Sequence, residues 1–63
     1  MPIIHVTLLE GREQQAIETC IQQVTRTVHE SLGAPLSSIR VIVNEVPRNR
    51  YAVGGTLKSE IPD

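Results

Sequence analysis

Apolar positions fall into three stretches along the chain, and each has its own period. Residues Ile3–Leu9 are short, β-branched and interrupted only by His5 and Thr7, which predicts a strand. Its two faces carry Pro2, Ile4, Val6 and Leu8 on one side and Ile3, His5, Thr7 and Leu9 on the other. Both are largely apolar, as in a strand covered on both sides. After Glu10, Gly11 and Arg12, the apolar residues Ala16, Ile17, Cys20, Ile21, Val24, Val28 and Leu32 recur at spacings of three and four. That is one face of a long helix, with Gln14, Gln15, Glu18, Gln22, Gln23, Arg26 and Glu30 on its wet side. Gly33 is placed to cap its end, and Pro35 follows shortly after. Residues 39–46, IRVIVNEV, return to a strand apolar on both faces.

Strand, helix and strand with short links form a β-α-β unit, so the strands are expected to be parallel with a right-handed crossover. The fold class is α/β. In "RNRYAVGG", Asn49, Gly54 and Gly55 predict turns around a brief C-terminal hairpin. The closing KSEIPD has little pattern and is expected to form an arm. One helix can cover only one face of two strands. The other face calls for a second copy.

Size sharpens that point. Sixty-three residues make a single domain, 1–63. A chain this small buries only about 60% of its unfolded surface, and its core supplies roughly 3–5 kcal/mol at most. Cys20 is the only cysteine, so no internal disulfide forms, and His5, His29 and Cys20 are too few and scattered for a structural zinc site. Tyr51 is the only aromatic residue. Oligomerisation is the remaining source of stability. A net charge of −1 and the lack of a basic stripe argue against nucleic acid. The N-terminal apolar run is soon broken by Glu10 and Arg12, so neither a signal peptide nor a membrane span is expected, and a cytoplasmic location follows.

Two positions are chemically unusual. Pro2 suits the first residue of a strand, where its missing N–H does little harm. If Met1 is trimmed, the same residue becomes a free secondary amine. Arg40 stands on a strand otherwise rich in Ile and Val, where a buried guanidinium needs a partner.

The start PIIHVTLLEGR, the helix, "SLGAPLSSIRVIV" and "YAVGG" together resemble 4-oxalocrotonate tautomerase, of the short-chain branch of the tautomerase superfamily, nearly from end to end and without a gap. The resemblance implies a β-α-β chain that pairs into dimers, three of which form a hexamer. It also implies an initiator methionine that is removed, no cofactor and no metal, and a small dicarboxylate enol or keto acid as substrate. The reaction implied is the isomerisation of 2-hydroxymuconate to 2-oxo-3-hexenedioate in aromatic-compound breakdown.

By the same resemblance, Pro2 is the base that lifts a proton from one end of a dienol and returns it at a remote carbon. An ordinary terminal amine titrates near ~7.7–8.0. An apolar pocket and nearby arginines disfavour its ammonium form, bringing the base toward the working pH. The residue matching Arg40 grips the carboxylate beside the enol oxygen, and that matching Arg12 takes the distal carboxylate and draws electron density toward the carbon protonated. Planar guanidinium forks suit both tasks. Tyr51, Val53 and Leu9 would wall the amine with apolar surface, although simple packing explains the two aliphatic residues equally well. His5, Cys20 and His29 read as a strand residue, a core-face thiol and a helix-surface residue.

Departures from the family pattern are local. Glu13 stands where relatives carry a small hydroxyl cap, a loss of about 1 kcal/mol. Pro47, Arg48 and Arg50 add charge near the expected pocket and bear on which acid is preferred, and the SEIPD ending differs from the basic end of well-known members. Three other readings stay open: a relative acting on another enol acid, a haloacrylate dehalogenase, and a non-catalytic or partner-dependent subunit of a mixed heterohexamer. The dehalogenase uses a carboxylate just after the aromatic, where this chain has Ala52 and Val53. A subunit without catalysis should have lost Pro2 or an arginine, and all three are present.

Overall fold

A computed structural model describes residues 1–61. Strand β1 spans Ile3–Leu9, helix α1 spans Gln14–Leu32 and strand β2 spans Arg40–Val46. A hairpin follows, with β3 at Ala52–Val53 and β4 at Thr56–Leu57. β1 and β2 pair in parallel, from Ile3 opposite Arg40 to Leu9 opposite Val46. β3 and β4 pair antiparallel across the turn at Gly54 and Gly55.

The helix begins where the spacing places it. Glu13 is its N-cap but makes no side-chain capping bond, so the missing hydroxyl is a real loss. At the other end Gly33 adopts φ 72° and its N–H donates to the His29 carbonyl. His29 is half-buried, with its Nδ1 2.6 Å from the Ala34 carbonyl oxygen, so its ring ties down the chain leaving the helix. This corrects the surface reading of that residue. A 3-10 turn at Leu36–Ser38 then delivers Ile39 to the core, and β2 starts one residue later than its sequence pattern predicts.

The register sorts the sheet into two unlike faces. Ile4, Val6, Leu8, Val41 and Val43 lie under α1 and are half-buried. On the opposite face Ile3, His5, Thr7, Arg40, Ile42 and Asn44 are exposed, with Ile3 at 52% and Ile42 at 49%. Among the described residues only Ile17 and Ile39 are fully buried apolar side chains. The accessible surface is 4849 Å², against about 4,000 Å² for a compact monomer of this size. The radius of gyration is 14.7 Å, against about 11 Å for such a monomer. Both figures describe one protomer of an assembly.

Three expected features differ. Ala16, Cys20 and Leu32 belong to the apolar stripe of α1 yet are exposed. Two strands roughly 4.8 Å apart are narrower than a helix of about 10 Å diameter, so the flanks of the stripe overhang the sheet. The tail also gains order where an arm was expected: Lys58–Glu60 form a 3-10 turn, closed by the Ile61 N–H on the Lys58 carbonyl. The hairpin causes this, because the Lys58 N–H donates to the Tyr51 carbonyl at 2.8 Å and holds the returning chain. Pro62 and Asp63, the end of that predicted arm, lie outside the described residues.

Candidate active site

Pro2 sits at the mouth of the sheet, held by its carbonyl. The Arg40 N–H donates to the Pro2 oxygen at 3.0 Å, extending the parallel ladder one residue beyond β1. The proline nitrogen takes no part in this bond. Met1 precedes it and is 79% exposed. Removing Met1 therefore leaves the ladder intact and frees an amine on a fixed ring.

Arg40 is joined to Pro2 through the backbone but not through its side chain. By strand alternation its side chain shares the uncovered face with Ile3 and Ile42, whereas Pro2 falls in line with Ile4 on the covered face. Its Nη1 donates to the Ser37 carbonyl at 2.8 Å, turning the guanidinium back along its own chain. In the protomer this arginine is exposed, so the buried guanidinium expected on an apolar strand is not found.

Arg12 lies at the far end. Six residue steps separate Ile3 from Leu9, roughly 20 Å of strand, and Arg12 lies beyond that. Gly11 makes the corner, at φ 118°, in a region that side-chain-bearing residues rarely enter. The exits of the two strands stay together because the Glu10 N–H donates to the Val46 carbonyl at 3.0 Å. Between them is an open depression of about 360 Å³ lined by Leu9, Glu10, Gly11, Arg12 and Arg48. Leu9 and Arg12 are thus brought together, and Pro2 is not with them.

Tyr51 and Val53 extend from the hairpin region, 38% and 61% exposed respectively. The sequence gave Arg48 and Arg50 equal weight. The structure separates them: both belong to the 3-10 turn Arg48–Arg50, but only Arg48 lines the depression with Arg12. No cluster of three or more His, Cys, Asp or Glu side chains among the described residues is placed to hold a metal ion. No helix among them is long and apolar enough to cross a membrane.

Comparison with known proteins accounts for this arrangement. The family model described as "Tautomerase enzyme" matches residues 2–61, beginning at the proline. A 2-hydroxymuconate tautomerase of Pseudomonas putida is 41% identical over 61 residues, covering 97% of each chain. Among solved structures, TomN, a 4-oxalocrotonate tautomerase homologue of the tomaymycin biosynthetic pathway, is 46% identical with a TM-score of 0.89, covering 94% of this chain and 91% of its own. The heterohexameric 4-oxalocrotonate tautomerase of Chloroflexus aurantiacus is 27% identical with a TM-score of 0.91, covering 98% of this chain and all of its own. By sequence and by fold, the chain belongs to the tautomerase family, in its short 4-oxalocrotonate tautomerase branch, and is a keto–enol isomerase.

Proposed function

We propose that the protein, once Met1 is removed, isomerises 2-hydroxymuconate to 2-oxo-3-hexenedioate with Pro2 as the proton carrier. The observation that carries this reading is the anchoring of Pro2 by its carbonyl alone, with only an exposed Met1 before it. The free amine takes the proton of the 2-hydroxyl as the enol collapses to a ketone. It then delivers that proton to C5, and the double bonds shift by one position. Atoms and charge balance without an added reactant. Because the ring has few rotors, little entropy is lost in positioning the nitrogen. Arg40 binds the carboxylate beside the keto oxygen, and Arg12 binds the distal carboxylate. Both stabilise charge that grows as the proton moves. Tyr51, Val53 and Leu9 keep water from the amine.

The reading requires an assembly. An arginine roughly 20 Å away along the same strand cannot hold the end of a substrate that is being protonated at Pro2. A neighbouring copy in the opposite direction brings its Arg12 end to this chain's Pro2 end. The uncovered sheet face, with Ile3 and Ile42 half-exposed, supplies apolar surface for such contacts. A hexamer built as a trimer of dimers fits these needs.

The test joins intact mass to a spectrophotometric assay on one sample. Loss of Met1 together with rapid disappearance of 2-hydroxymuconate is the expected result. Loss of Met1 without turnover rejects this substrate and turns attention to another enol acid. It equally fits a missing partner chain, as in the Chloroflexus heterohexamer.

A further inference from the structure

Arg12 and Arg48 reach the same depression from two chain segments, and each is held there by a specific local device. Arg12 follows the Gly11 corner. Arg48 opens a 3-10 turn whose first bond runs from the Arg50 N–H to the Pro47 carbonyl at 2.9 Å. Pro47, at φ −61°, sets the direction of that turn as β2 ends. The Glu10–Val46 backbone bond holds the two exits side by side. Two guanidinium groups and one carboxylate, that of Glu10, therefore line about 360 Å³ of open space. Arg48 is half-buried, so its position is better defined than that of a solvated surface arginine.

Like charges held together repel, and an anion placed between them relieves the repulsion. A carboxylate has about four acceptor sites, which one planar fork does not fill and two can. We propose that Arg48 and Arg12 form a two-cation seat for the substrate's distal carboxylate, making Arg48 the residue that selects dicarboxylates over monocarboxylates. This rests on the reading above in giving Arg12 the distal end. It adds a residue from the other side of the depression and assigns it the choice of substrate. Arg50 shares the turn but not the depression, so charge near the pocket is not by itself the selecting feature.

The test is calorimetric binding to the full chain of two unreactive probes with one carbon skeleton: trans,trans-muconate, a dicarboxylate, and sorbate, its monocarboxylate counterpart. The wild-type chain is expected to prefer muconate. Arg48→Gln should weaken muconate binding about tenfold, the worth of a charge-assisted hydrogen bond, and change sorbate binding less than about twofold. Arg48→Lys should retain most of the preference, and Arg50→Gln should alter neither affinity. Circular dichroism and assembly size, matched to wild type, accompany each variant. Should Arg48→Gln fail to fold, the comparison of Arg48→Lys with Arg50→Gln decides: a muconate preference lowered only in the former supports the seat, and equal preferences overturn it.

An unchanged muconate-to-sorbate ratio in folded Arg48→Gln overturns the inference, as does a wild-type chain with no preference. Because binding is read without turnover, the two readings separate. A preference lost in Arg48→Gln stands even if 2-hydroxymuconate is not consumed. Rapid consumption with an unchanged ratio keeps the reaction and removes the seat.

Discussion

A site that takes Pro2 and Arg12 from different chains can be reconstituted from two broken proteins. Pro2→Ala removes the ring amine but still permits Met1 removal, since alanine is also small. A positioned proton-transfer group is worth roughly 10²–10⁴ in rate, so this variant alone is nearly inactive. Arg12→Ala removes charge-assisted bonds of about 1.5–3 kcal/mol, a loss of roughly 10- to 150-fold. The roughly 20 Å of strand between the two positions excludes their meeting in one chain. After subunit exchange at equal concentrations, half of the sites receive an intact Pro2. Independently, half receive an intact Arg12. About one quarter of sites are then complete, so activity should rise to about a quarter of wild type. The assay is 2-hydroxymuconate turnover, with exchange verified by native mass spectrometry of mass-tagged chains. Activity that stays at the mean of the two parents after complete exchange refutes the shared site.

Three other substitutions probe separate parts of the account. Arg40→Ala should raise KM and lower kcat together, by roughly tenfold or more in kcat/KM; a change confined to denaturation midpoint returns Arg40 to a structural role. Ile42→Glu places a charge on the uncovered face, where assembly would bury the exposed half of the isoleucine. It should cost several kcal/mol per protomer and shift sedimentation to smaller species, and an unchanged sedimentation coefficient means that this face stays wet. Glu13→Ser supplies the missing cap of α1 and should stabilise the protein by about 0.5–1 kcal/mol in chemical denaturation at fixed concentration; no gain would show that the helix end is satisfied in another way.

Periodicity alone carried most of the protomer. The limits of β1, the long helix closed by Gly33, a second parallel strand and the hairpin at Gly54 and Gly55 all follow from local rules acting over a few residues. The tail and the overhanging flanks of the helix were not legible. Lys58–Glu60 are ordered by a bond to Tyr51, and the exposure of Ala16, Cys20 and Leu32 reflects the width of the sheet. Neither is encoded in a neighbouring residue.

The same division runs through the site. Sequence by itself determined which residues carry unusual chemistry: a proline behind one methionine, and arginines at positions 12 and 40. It could not say which of them meet, because meeting depends on strand direction and register. Parallel pairing puts Arg40 beside Pro2 in the backbone yet on the other face, and leaves Arg12 at the far end. Only the tertiary structure set Arg48 apart from Arg50, since a 3-10 turn after Pro47 directs one into the depression with Arg12 and not the other. A short-range code specifies elements and their reactive groups. Distances between those groups are settled where separate segments pack.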